Sequence, residues 1–70
     1  MNISKDFKIT LAAARVNAGM TQADIAKKMK VSKSTIINWE KGKVEMKPAQ
    51  FTMYCMIVGA PTNSIVLPRI

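Results

Sequence analysis

Lys33, Ser34, Thr35 and Asn38 stand close together in the chain, and a helix running through them sets Ser34 and Asn38 one turn apart on the same face. An ammonium, two hydroxyls and a carboxamide on one surface are donors and acceptors suited to recognition rather than to bond making. A helix projecting such groups fits the major groove of B-DNA, which is roughly 12 Å wide and lined by base edges that offer matching partners. Catalytic chemistry has little to work with. The chain has no histidine, a single cysteine (Cys55), no acidic pair beside a nucleophile and no glycine-rich phosphate loop. No enzyme activity, cofactor, metal or small-molecule substrate is therefore expected.

Charge points the same way. Eleven basic residues face four acidic ones, a formal net charge of +7 that draws the chain toward polyanions. Lys27, Lys28, Lys30, Lys33, Lys41, Lys43 and Lys47 crowd the middle of the chain around the candidate helix. A solvated, solubilising face is the bland explanation of such a run, but here the run coincides with a motif.

Four helices are needed to position these residues. Leu11, Ala14, Arg15 and Ala18 recur at helical spacing, with Thr10 as N-cap and Gly19 as stop. Thr21 caps a second helix over Gln22 to Lys30, with Ile25, Ala26 and Met29 on one stripe. Ser32 caps a third, in which Ile36 and Trp39 share a buried face and Gly42 supplies the terminal turn. The second and third helices, joined by about three residues, must cross steeply and closely, and Ala26 is small enough to allow it. Lys43 to Lys47 reads as a polar connection. Pro48 opens a fourth helix with Phe51, Tyr54, Cys55 and Val58 as its core stripe, and Gly59 ends it. After it come a Thr62 cap, a short turn at Asn63 to Val66, and Leu67-Pro68. The spacing of Trp39 from Ile36 favours a core role over stacking on a base, and Cys55 is most simply a small core residue.

The run from Thr21 to Gly42, with its "TQ..IA......VS..TI..WE.G" pattern, resembles the helix-turn-helix of the Cro/repressor (XRE-like) DNA-binding family. The similarity extends through Leu11 to Met20 and into the fourth helix, covering about positions 9 to 67. It implies an all-α, compact four- to five-helix lambda-repressor-like domain over 1–70, with an N-terminal arm at 1–9, the helix-turn-helix at 21–42 and a tail at 60–70. It also implies roles. Gln22 matches a contact to DNA backbone and sometimes to a base; Ser32, Lys33, Ser34 and Asn38 match base- and phosphate-contacting positions; Lys43 matches a backbone contact. Arg15 and Glu40 match a structural ion pair between the first helix and the end of the recognition helix. Physical reasoning supports that pair, because Arg15 interrupts an apolar stripe where an unpaired charge is costly. Two departures stand out. Lys30 occupies a turn position where the family commonly has glycine, at a cost on the order of 1 kcal/mol, and the loop before Pro48 is one residue longer than in the shortest members.

A recognition helix reads only a few base pairs, so family resemblance implies a homodimer on half-sites about 34 Å apart. Met53, Met56 and Ile57 on helix 4, with Ile65, Val66, Leu67 and Ile70, exceed what so short a chain is expected to bury and mark a partner surface. The expected function is sequence-specific binding of double-stranded DNA by a transcriptional regulator, Cro-like and acting as a repressor by operator occupancy, from a phage or mobile element. The alternative is a protein-binding helical adaptor or antirepressor using the Met-rich face. With no apolar h-region after Met1 and no stretch near the ~18 residues of a membrane span, a cytoplasmic, bacterial or phage-encoded protein is expected, without a membrane partner.

Overall fold

The computed structural model describes residues 8–68. In chain order they form β1 (Ile9–Thr10), α1 (Leu11–Asn17), α2 (Gln22–Met29), α3 (Lys33–Lys41), α4 (Pro48–Val58), a 3₁₀ turn (Thr62–Ser64) and β2 (Ile65–Val66). Four helices dominate, as the patterning requires.

Each helix starts where a side chain can satisfy an otherwise unpartnered N–H. Thr10 Oγ1 accepts from the Ala13 N–H at 3.1 Å to start α1. At α2, Thr21 Oγ1 accepts from the Asp24 N–H at 3.0 Å while Asp24 Oδ2 accepts from the Thr21 N–H at 2.9 Å, a reciprocal box. The Thr21 backbone bond holds the Asp24 carboxyl below its usual range. Ser32 Oγ accepts from the Thr35 N–H at 3.1 Å to open α3. At α4, Pro48 occupies the first position and the Lys47 N–H donates to Gln50 Oε1 at 2.8 Å.

The α2–α3 turn passes through a left-handed residue, Lys30, at φ 60° and ψ 42°. A left-handed lysine carries a Cβ penalty that glycine avoids. The turn nevertheless closes, because the Val31 N–H donates to the Ala26 carbonyl at 3.0 Å.

One core joins all four helices. Leu11 and Ala14 of α1, Ile25, Ala26 and Met29 of α2, Ile36 and Trp39 of α3, and Tyr54 and Cys55 of α4 are buried in a single cluster. Ala26 is buried in this cluster, and α2 packs on α3. Phe51, Ile57 and Val58 are half-buried against the cluster, so Ile57 belongs to the core rather than to a free face.

Several expectations need correction. Ala18 is exposed, because α1 ends at Asn17 before the stripe completes another turn. Met46 is buried, so the connection from Lys43 to Lys47 is not wholly polar; it drops one apolar side chain into the core. Thr62 does not cap the tail: Pro61 precedes the 3₁₀ turn and makes no side-chain cap bond. The turn then gives way to β2, which pairs in parallel with β1, Ile9 opposite Ile65 and Thr10 opposite Val66. Ile65 thereby enters the core, and Ile9 packs against it. The arm expected over 1–9 thus ends in a paired strand, and its residues 1–7 lie outside the described residues, as does Ile70 of the expected tail surface.

Candidate nucleic-acid interface

The position of α3 is set from its inner side by one carboxylate. Glu40 sits at the end of α3 with its side chain 5% exposed, facing the 12% exposed side chain of Arg15 on α1. Arg15 Nε donates to Glu40 Oε2 at 2.8 Å and Arg15 Nη2 to Oε1 at 3.2 Å, the two-pronged geometry in which a guanidinium holds a carboxylate best. Two further donors converge on the same group. Gln22 Nε2 of α2 donates to Oε1 at 3.1 Å, and the Tyr54 hydroxyl of α4 donates to Oε2 at 2.7 Å with the Leu11 carbonyl oxygen 3.1 Å away. Arg15 Nη1 meanwhile donates to the Met20 carbonyl at 3.0 Å, tying in the α1–α2 turn. Four helices and one turn therefore meet at Glu40.

The electrostatics follow from this geometry. Burial pushes the Glu40 carboxyl up, but the bonds from Arg15, Tyr54 and Gln22 outweigh it and hold the group below its usual range. The bond to Glu40 raises the pKa of Arg15, so the guanidinium stays charged. Tyr54 is raised well above its ordinary value, first by burial and then by its bond to the carboxylate. Among the described residues no buried side-chain nitrogen or oxygen lacks a partner.

The outer side of α3 is arranged differently. Ser32, Lys33 and Ser34 are exposed, and Thr35 and Asn38 are partly so. Ser32 and Thr35 are engaged with each other, their hydroxyl oxygens 2.9 Å apart, on top of the capping bond. Lys33, Ser34 and Asn38 make no side-chain hydrogen bond among the described residues. Lys43 follows the buried Gly42 and is exposed, its N–H held 2.9 Å from the Asn38 carbonyl. Lys33 and Gln22 line one shallow depression together with Gly19, Met20, Thr21 and Ala23, so the start of α2 and the start of α3 share a surface. Lys8, Lys27, Lys28, Lys30, Lys33, Lys41, Lys43 and Lys47 are all exposed, and none pairs with an acid among the described residues.

A helix-turn-helix family model matches residues 11–54, more than half of the chain. The chain belongs to the helix-turn-helix family. The match spans α1 through Tyr54 and supports the Cro/repressor type within that family. No curated protein and no solved structure matches the chain. As a helix-turn-helix protein it is a DNA-binding transcriptional regulator, and the family is a regulatory rather than an enzymatic one. No helix of the described residues is long and apolar enough to cross a membrane.

Sequence reasoning overlooked two members of the inner cluster of this helix-turn-helix. Tyr54 reads as one more residue of an apolar stripe, although a buried phenol has a polar tip that needs a partner. Gln22 reads as an outward group by resemblance, yet its amide is turned to Glu40. A signal for both was available in Glu40 itself, because a carboxylate accepts about four hydrogen bonds and an arginine fork supplies only two.

Proposed function

We propose that this protein reads double-stranded DNA by laying α3 in the major groove, and that it represses transcription as a Cro-like homodimer by occupying an operator. One observation carries the reading: among the described residues the side chains of Lys33, Ser34 and Asn38 make no hydrogen bond on the outside of a helix whose buried inner polar atoms all have partners. Ser34 and Asn38 contact base edges. Lys33, Ser32 and Thr35 at the start of α3, and Lys43 after it, hold phosphates. Gln22 adds its carboxamide oxygen, and the Gln22 and Ala23 N–H groups at the start of α2 add donors beside the Asp24 N–H that Thr21 caps. The exposed lysines supply the sequence-independent attraction.

A second copy is accommodated by a groove of about 540 Å³ lined by Lys8, Val44, Glu45, Val66, Leu67 and Pro68. Val44, Val66 and Leu67 are exposed apolar residues there. A two-fold interface brings one patch against itself, so a patch holding both Lys8 and Glu45 complements its own copy. Met53 and Met56, the latter 76% exposed, support a second reading as a protein-binding adaptor.

Selection of bound sequences from random duplex DNA, followed by salt titration of the winner, tests the proposal. A two-fold symmetric site with half-sites about 34 Å apart is expected. With ~4 to 8 phosphates neutralised, the log-log salt slope should be about −4 to −7. A slope near zero with no enriched sequence would overturn it in favour of the adaptor.

A further inference from the structure

Among the residues on the outer arc of α3, one is neither charged nor polar. Successive helical residues rotate by roughly 100°, which places Ile37 between Lys33 and Ser34 and beside Lys41, about 160° from the buried Trp39 and about 100° from the buried Ile36. Ile37 is half-buried, yet it is not among the apolar side chains that pack against the core, unlike Val31, Phe51, Ile57 and Val58. The part of its branched apolar surface that stays exposed shares an arc with Lys33, Ser34 and Lys41.

We propose that Ile37 is a specificity-determining residue that recognises the C5-methyl group of a thymine next to the base contacted by Ser34 or Asn38. The inference rests on the DNA reading above. Isoleucine offers no hydrogen bond, so in the major groove it distinguishes bases only through apolar contact, and the thymine methyl is the apolar feature there. Cytosine lacks that methyl and presents an amino group instead, which an isoleucine side chain would desolvate without replacing its hydrogen bond. Ser34 and Asn38 then read the neighbouring base by hydrogen bonding, so the helix combines two kinds of contact in adjacent steps.

The test uses the full chain and its selected duplex. Each thymine of a half-site is replaced in turn by uracil, which removes only the methyl group, and Kd is measured for the wild type, Ile37→Val and Ile37→Ala. Thermal melting of each variant checks that it is folded. At one position per half-site, uracil should weaken the wild type by roughly fourfold, the value of burying one methyl group. Ile37→Ala should bind thymine and uracil duplexes alike, and Ile37→Val should fall between. A 5-methylcytosine at that position should bind the wild type better than cytosine does. If the wild type selects a site but no uracil substitution weakens it, or if Ile37→Ala keeps the same thymine-to-uracil ratio, the assignment is wrong while the DNA reading stands. If no duplex is enriched at all, the DNA reading fails and takes this assignment with it.

Discussion

At the inner end of α3 a single carboxylate accepts hydrogen bonds from Arg15, Gln22 and Tyr54, whereas on the outer face the side chains of Ser34 and Asn38 accept none among the described residues. Both regions are polar, and both belong to one nine-residue helix. The difference lies in what a change would do. At Glu40 the polar atoms are buried and mutually satisfied, so their removal leaves others stranded. At Ser34 and Asn38 water satisfies the same kinds of atom, so removal costs the fold little and affects only what the helix meets. Stability and recognition are thereby separated onto two sides of one element, and each side can be altered to see whether the separation holds.

The largest effect is expected at the inner side. Arg15→Met leaves Glu40 as a buried charge short of two donors, and Glu40→Leu strands Arg15 in the same way. Each should cost roughly 3 kcal/mol or more, enough to unfold much of so small a protein. The double replacement removes both charges and should cost much less, because neither is left uncompensated. Thermal or urea denaturation of the three variants measures the coupling. Small, additive effects would mean that the ion pair contributes little and that the two sides of α3 do not differ as described.

Acid should weaken the same cluster without mutation. The folded Glu40 carboxyl lies below its ordinary value of 4.5, so the unfolded chain takes up the proton first. Stability from this group is present above about pH 4.5 and is lost as pH falls through the depressed folded value. Alkali acts on the neighbours in the opposite sense. Burial raises both the Cys55 thiol and the Tyr54 phenol, so stability should fall once pH rises past their ordinary values of 9.0 and 10.0. Melting temperature against pH should therefore show a plateau between about 4.5 and 9. In Glu40→Gln the acid limb should flatten, and an unchanged limb would assign the acid loss to other groups.

The inner cluster also shows how far sequence reasoning reaches. Arg15 is legible because a charge on an apolar stripe demands a partner, and Thr10, Thr21 and Ser32 are legible because capping is local. Met46 is not, since a single apolar residue inside a polar connection has no periodicity to announce it. The pairing of Ile9 with Ile65 is equally silent: two residues at either end of the described chain carry no alternation, and only tertiary packing brings them together. Gln22 and Tyr54 reach Glu40 from two different helices, and their convergence depends on crossing geometry that spacing within each helix does not encode.

On the outer side the expected effects move from stability to binding. Ser34→Ala and Asn38→Ala should leave the melting temperature nearly unchanged, while each costs ~1 to 3 kcal/mol on the selected duplex and relaxes preference at one or two positions. Lys43→Ala should weaken all duplexes alike and reduce the salt slope by about 1 per site lost. Competition assays with selected and scrambled duplexes separate the two behaviours. If Ser34→Ala and Asn38→Ala destabilise the fold instead, or leave the preference intact, the outer face is not the reading surface.

The smallest effect is expected at the joint that sets how the two sides are presented. Lys30 holds the left-handed conformation between α2 and α3, with its side chain exposed, so its Cβ carries a penalty on the order of 1 kcal/mol that nothing in the turn requires. Lys30→Gly removes that penalty, but glycine also gives the unfolded chain more freedom, which offsets part of the gain. The net result should be stabilisation by at most about 1 kcal/mol, a rise in melting temperature of no more than roughly 4 to 8 °C for a chain of this size. Removing the lysine also relieves repulsion from Lys27 and Lys28, so Lys30→Ala serves as the control: it loses the same charge and keeps the Cβ. A gain in Lys30→Gly that is absent in Lys30→Ala places the strain in the backbone, and equal gains place it in the charges. Either variant should select the same duplex sequence, because Lys30 lies off the outer arc of α3. A changed preference would mean that the turn tilts the recognition helix, and that the inner and outer sides are less independent than their hydrogen bonding suggests.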